Sequence, residues 1–274
     1  MAFTVACLAG CEATPAASET STPSRRPIGQ SDGTVRVLQM NLCNSGRADC
    51  YSGGRAVNRA DALIREHQPD MVSLNEVCRD DLVVLRRAMS DGSPATEVAS
   101  AFMAATDRPS QAPVRCRNGQ DFGDGVLVVV SPRAASSRVH GGVYPVQDAD
   151  DPEGRVWVCV EVGTRFSGCT THATSHSRAV ALEQCRHLLG TVVPAIARSD
   201  GAGPVVLGAD LNLPARGSPN PQSCLPSGYQ RADDGGLQDV VVGPGVEVRS
   251  RSVIDMQGAT DHPGLLVDVE LPGR

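Results

Sequence analysis

Spread along this chain are side chains that together could hold a hard cation and act on a phosphate. Glu76, Asp210 and Asp261 offer carboxylates, Asn41 and Asn212 offer amides, and His172 and His262 offer imidazoles. Carboxylate oxygens suit Mg²⁺, with Ca²⁺ or Mn²⁺ as alternatives; amides and imidazoles can bind, orient and protonate a phosphate and its attacking water. Singly, each has an ordinary reading: Asp210-Leu211-Asn212 as a turn or helix cap, Asp261-His262 before Pro263 as a turn, His172 as a satisfied polar residue, Glu76 as a solvated loop charge. Position argues for more, because these residues flank apolar runs that read as strands, and open sheets present their chemistry at strand ends.

The elements that must position them follow from periodicity. A strand is expected from about Thr34 through VRVLQM to Asn41, and Arg55 to His67 has helical spacing at Ala56, Ala60, Leu63 and Ile64 before Pro69 stops it. A strand over Met71 to Asn75 delivers Glu76, and Asp80 to Met89 reads as a helix. Residues 91–120 carry too much Gly, Pro and polar sequence for an assignment. Strands are expected at Gly125–Val130, Arg155–Val162 and Ser167–His172, then one continuous helix over Arg178–Ala197 and a strand over Pro204–Gly208 buried on both faces. Strands at Asp239–Val242, Gly245–Ser252 and Gly264–Leu271 complete the pattern. Many strands with interspersed helices and no strict alternation imply an α/β (α+β) architecture of two packed mixed sheets with helices outside.

Composition narrows the function. With 41% hydrophobic and 20% charged residues the chain can build a packed core, and no internal repeat or second linker divides it. The formal charge of −6 has the wrong sign for a protein that binds nucleic acid mainly by neutralising phosphates, and 3% aromatics leaves few platforms for stacked bases. A metal-assisted hydrolase can still handle a phosphoester, since the cation reverses the local field. There is no GxSxG elbow for a serine hydrolase.

Residues 1–11 end in Leu8-Ala9-Gly10-Cys11, which resembles a lipobox, and 12–33 read as a Ser/Thr/Pro/Ala-rich tether, leaving 34–274 as a single folded domain. The expectation is export, as a surface lipoprotein lipidated at Cys11 and so associated with a membrane, or as a secreted monomer. Setting Cys7 and Cys11 aside leaves eight cysteines, an even number suited to an oxidising compartment. Sequence order suggests Cys43–Cys50, Cys78–Cys116, Cys159–Cys169 and Cys185–Cys224, one of about 105 connectivities. No CxxC pair supports a structural zinc site, and His176, four residues after His172, reads as a loop or helix-start residue.

Taken in order, MNL at 40–42, LNEVCRDDL at 74–82, GDGVLVV at 123–129, TTHA at 170–173, GADLN at 208–212, LQDVVV at 237–242 and TDHPGLLV at 260–267 resemble the motifs of the deoxyribonuclease I-like endonuclease/exonuclease/phosphatase superfamily. The resemblance spans about residues 34 to 272. It implies a four-layered sandwich and a divalent-metal-dependent phosphoester hydrolase, with Mg²⁺ held by Glu76, Asn41 and Asp261. It further implies that Asp210 positions the attacking water, Asn212 binds the phosphate, and His172 sits beside the leaving group. His262 would be the general base or the donor to the pentacoordinate centre, held in its tautomer by Asp239, and Arg79 would touch the substrate phosphate. Asn75 departs from the usual Gln, and the aromatics customary beside Asn41 and after Asp239 are replaced by Met40 and by Val240 to Val242. The first change is mild, since both amides can serve the same hydrogen bonds, whereas loss of the aromatics weakens any transfer of substrate preference among DNA, a lipid head group and a small phosphodiester. The competing reading is a non-catalytic binding descendant, against which stands the retention of Glu76, Asp210-x-Asn212 and Asp261-His262 together.

Overall fold

The computed structural model describes residues 33–90, 96–130 and 137–273. The segments read as signal and tether, including Cys7 and Cys11, lie outside the described residues except for Gly33. In chain order the main strands are β1 (Thr34–Asn41), β2 (Met71–Cys78), β3 (Glu97–Ala104), β4 (Phe122–Val130), β5 (Ser137–Val143) and β6 (Val156–Val162). They continue as β7 (Phe166–His172), β8 (Val205–Asp210), β9 (Gln230–Asp233), β10 (Gln238–Val242), β11 (Glu247–Ile254) and β12 (Gly264–Glu270). One six-stranded sheet runs β11-β12-β1-β2-β4-β3, the other β9-β10-β8-β7-β6-β5. β1 pairs parallel with β2 and β7 with β8, while the remaining pairs are antiparallel, so both sheets are mixed.

Strand alternation sorts the side chains into layers. Val35 and Val37 of β1, Met71 of β2, Val126 and Val128 of β4, Phe166 of β7, Val206 of β8, and Val240 and Val242 of β10 meet between the sheets. Burying each such side chain stabilises by roughly 1.5–3 kcal/mol. The alternate residues pack outward. Leu38, Val72 and Leu74 meet Ala60, Leu63 and Leu85 of helices α1 (Arg55–His67) and α2 (Asp81–Ser90). Leu207 and Val241 meet Ala181 and Cys185 of α3 (Arg178–His187), and Val193 and Ile196 of α4 (Val193–Ala197). The result is the four-layered α+β sandwich expected from sequence.

Topology gathers the candidate residues at one edge. Asn41 ends β1, Asn75 and Glu76 lie near the end of its parallel neighbour β2, and His172 and Asp210 end the parallel pair β7 and β8. The antiparallel neighbours β10 and β12 run the other way, so their first residues, Gln238 and the 261–263 loop, reach the same edge.

Four elements differ from the sequence reading. Residues 97–104 form a strand antiparallel to β4, and Ser137–Val143 and Gln230–Asp233 are also strands. These lie at sheet edges, where one-sided burial leaves little apolar periodicity to detect. The helix expected over Arg178–Ala197 is interrupted by a π-turn at Leu188–Val192, just before Pro194, whose missing N–H removes a regular helical bond. The four disulfides join the pairs suggested by sequence order.

Candidate active site

The site is built around one amide. Asn41 Nδ2 donates to Glu76 Oε1 at 2.9 Å and to Asp210 Oδ2 at 3.2 Å, joining a carboxylate from each sheet through a single nitrogen. Its own oxygen accepts from the backbone N–H of Cys43 at 3.0 Å, so the side chain is held at both ends. Glu76 is aimed by a bulge: the β2–β4 register shifts between Leu74 and Val77, and Glu76 takes φ +55°. A left-handed glutamate inside a strand is strained, and such strain persists where the surroundings over-determine it.

Around this pair lie the two imidazoles. His172 Nδ1 is 4.0 Å from Glu76 Oε1, and His262 Nε2 is 3.7 Å from Asp210 Oδ2 and 3.9 Å from Asp261 Oδ1. Thr260 fixes the loop carrying the last two residues by donating to the Asn41 carbonyl at 3.0 Å. Asn212, at φ +50°, donates through Nδ2 to the Ala173 carbonyl at 2.7 Å, and its backbone N–H donates to Asp210 Oδ1 at 3.1 Å.

The electrostatics are those of crowded carboxylates. Burial raises the Glu76 carboxyl above its ordinary range, and the charges of Asp210 and Asp261 push it the same way, against the Asn41 hydrogen bond and the Arg155 charge. Burial likewise raises Asp210, opposed by His262 and by the amides that donate to it. His172 is held well below its usual value by burial and by the nearby Arg155 and His262, so its imidazole is neutral at pH 7. Buried Asp210 and half-buried Glu76, joined by one amide, with exposed Asp261 beside His262, form a hard oxygen set whose mutual repulsion a divalent cation would relieve. Glu76 and Asp261 are the residues that would hold it; Asn41 would add its Oδ1 only with its amide turned from the present orientation, in which Nδ2 faces both carboxylates and Oδ1 accepts from Cys43. A soft alternative is closed: Cys43 and Cys50 lie with Glu76 in a group of potential ligand atoms, but the two sulfurs are bonded to each other.

Two expected site residues stand apart from this cluster. Arg79 binds the Asp121 carboxylate through Nη2 at 2.9 Å and lies 4.6 Å over the Phe102 ring. No contact among the described residues ties it to Glu76 or Asp210, because it follows the end of β2 beyond the bulge. Asp239 is paired with Arg231, and burial pushes its carboxyl up to about 8. Its neighbours Gln238 and Val240 face the inter-sheet layer, so alternation turns Asp239 to the opposite face, with Val241.

Three site residues escaped the sequence reading. Gln238 Nε2 donates to Asp210 Oδ2 at 2.6 Å and lies 3.4 Å from His262 Nδ1. Asp124, in Gly123-Asp124-Gly125, accepts from Asn75 Nδ2 at 3.1 Å, and burial pushes it up to about 8. Arg155 is buried, donating to Asp151 at 2.8 Å and pairing with Glu153 at 3.1 Å, and its charge acts on Glu76, Asp124 and His172. A charged residue next to glycine, inside an apolar strand at Asp124 and just before one at Arg155, is the available signal for both.

Comparison with known proteins places this arrangement. The model of the Endonuclease/Exonuclease/phosphatase family matches residues 43–262. Among solved structures, an endonuclease/exonuclease/phosphatase from Beutenbergia cavernae superposes with TM-score 0.59 at 20% identity, covering 88% of this chain and 72% of its own. The human Nocturnin catalytic domain with a bound sulfate anion gives TM-score 0.62 at 15% identity, covering 87% and 93%. ANGEL2, described as a 2′,3′-cyclic phosphatase, gives 0.59 at 14%, covering 87% and 95%. None of the curated proteins matches the chain significantly.

Proposed function

Because the chain belongs to the Endonuclease/Exonuclease/phosphatase family, whose model spans residues 43–262, we propose that it hydrolyses phosphodiesters with the help of a divalent cation. The observation that carries the reading is the Asn41 amide shared between Glu76 and Asp210, with His262 Nε2 3.7 Å from the same Asp210 oxygen. Relatives described by a bound sulfate and by a cyclic phosphatase activity agree with a tetrahedral oxyanion as the reacting group.

A cation held by Glu76, Asn41 and Asp261, Mg²⁺ with Ca²⁺ or Mn²⁺ as alternatives, would neutralise the phosphate and polarise its P–O bonds. The chain's own groups do the rest. Asp210 accepts a proton from the attacking water, whose oxygen bonds to phosphorus as the opposite P–O bond breaks. The leaving oxygen departs with the bonding pair and is protonated by solvent. Neutral His172 and the Asn212 side chain donate to phosphate oxygens, and such preorganised donors lower the barrier because they need no reorientation during the reaction.

Export, with anchoring through a lipidated Cys11 or release as a monomer, belongs to the same proposal and rests on the lipobox-like sequence and the four disulfides. Substrates to be compared are DNA, sphingomyelin or phosphoinositide, and a small diester such as bis(p-nitrophenyl) phosphate. Hydrolysis of at least one, abolished by chelator and by Asp210→Ala or His262→Ala in folded protein, is the expected result. Full turnover in either variant would overturn the reading.

A further inference from the structure

We infer that Gln238, and not Asp239, is the positioning residue of this site, its amide donating to Asp210 Oδ2 and His262 Nδ1 and thereby fixing His262 as an Nε2–H donor. The inference rests on the hydrolytic reading above, in which Asp210 takes the water's proton, and gives His262 the step which that reading does not assign.

The orientation of the Gln238 amide is set from behind. Gln39 Nε2, from the facing sheet, donates to Gln238 Oε1 at 2.9 Å, and the same nitrogen donates to Asn75 Oδ1 at 2.7 Å. With its oxygen so engaged, the Gln238 NH₂ group is left facing Asp210 at 2.6 Å and the ring nitrogen of His262 at 3.4 Å. An amide NH₂ has two hydrogens and can serve both acceptors. It cannot accept a hydrogen from Nδ1. The tautomer that satisfies the contact therefore carries its proton on Nε2, the nitrogen nearer Asp210 and Asp261.

Chemistry follows from that tautomer. A neutral imidazole protonated at Nε2 has no lone pair there to take a proton from water, so proton acceptance falls to Asp210. His262 instead presents a hydrogen-bond donor to a phosphate oxygen. A carboxylate at the Gln238 position would do the reverse, accepting Nδ1–H and leaving Nε2 free as a base or favouring the imidazolium. Asp239 cannot supply that carboxylate, since it is held on the other face of β10 against Arg231.

The test is the His262 tautomer, read by long-range ¹H–¹⁵N spectra of histidine-labelled full-length protein in chelator above the imidazole titration, with His262→Gln identifying the signal. The wild type should show protonated Nε2 and unprotonated Nδ1, Gln238→Glu should move a proton to Nδ1, and Asp239→Asn should change nothing at His262. On bis(p-nitrophenyl) phosphate, Gln238→Leu should lower kcat about tenfold or more while KM changes by less than about twofold, the signature of an interaction made in the transition state. Protonated Nδ1 in the wild type, or a tautomer that responds to Asp239→Asn, overturns the proposal. Because the spectrum needs no turnover, a chain with no phosphodiesterase activity would defeat the hydrolytic reading while the tautomer still decides the placement.

Discussion

Glu76→Gln separates stability from function in one substitution. The amide keeps an oxygen where Asn41 donates at 2.9 Å, and it removes a negative charge that burial, Asp210 and Asp261 all disfavour. In chelator near neutral pH the variant should be more stable than the native chain by on the order of 1 kcal/mol, the scale of relieving like-charge repulsion in a partly buried site. For a domain of this size that is roughly 2–4 °C in Tm. A bound cation should reverse the order. At a hundredfold excess over its Kd, the native protein gains about 2.7 kcal/mol and the variant, lacking its principal anionic ligand, much less. Turnover should fall by about 10²–10³, the usual scale for removing one preorganised electrostatic contact. Thermal melts in EDTA and in graded Mg²⁺, Mn²⁺ and Ca²⁺, with turnover on the same samples, decide it. A variant less stable than native in EDTA, or equal stabilisation of both proteins by every ion, would refute the reasoning.

Asp124 is raised from 3.8 to about 8 by burial, so the folded state holds its proton more tightly than the unfolded chain. Its stabilising contribution is complete below pH 3.8 and is lost as pH rises through about 8; Asp124→Asn should flatten Tm against pH over that window and exceed the native Tm above it, and parallel curves would contradict this. Gly208→Ala puts a methyl carbon 2.5 Å from Ser73 Cβ and 2.8 Å from Gln39 Oε1, so a loss of about 1–3 kcal/mol in chemical denaturation, with reduced kcat, is expected; unchanged stability would mean the sheets separate freely there. Arg79→Ala should leave kcat/KM within about threefold, since its partners are Asp121 and Phe102; a loss beyond about a hundredfold would return Arg79 to the substrate.

What the sequence discloses is uneven for physical reasons. Helix α1 and the central strands β1, β2, β7 and β8 announce themselves through strong apolar patterns, and their ends supply Asn41, Glu76, His172 and Asp210. Edge strands β3, β5 and β9 do not, because one-sided packing leaves mixed composition. The misplacement of Asp239 has a sharper cause. Strand β10 reads Gln-Asp-Val-Val-Val, buried throughout, so no polar-apolar alternation says which parity faces the opposite sheet. Only pairing with β8, which sets Gln238 opposite Asp210 and Asp239 opposite Ala209, resolves it.

That parity reveals how the site is made. Followed toward the catalytic edge, the inward row of β1 is Val35, Val37, Gln39, Asn41, and that of β2 is Met71, Ser73, Asn75. On β4 it runs Val130, Val128, Val126, Asp124; on β8, Val206, Gly208, Asp210; on β10, Val242, Val240, Gln238. Each row is apolar at one end and turns polar toward the other, β1 and β2 at the paired Gln39 and Ser73, and β4, β8 and β10 one inward step later, at Asp124, Asp210 and Gln238. Burying a polar seam between sheets is tolerable only where its members satisfy one another. Here nearly all of them do: Ser73 Oγ donates to the Gly208 carbonyl at 3.0 Å, Asn75 accepts from the Asp210 N–H at 3.1 Å, and Gln39 Nε2 links Asn75 to Gln238, while Gln39 Oε1 is left without a partner among the described residues. The seam therefore fixes the relative position of the sheets as it carries hydrogen bonds to Asp210. Because the Asp210-aligning contacts are the sheet-packing contacts, substitutions at Gln39, Ser73 or Asn75 should lower stability and turnover together, whereas Glu76, at the rim, can lose its charge and separate the two.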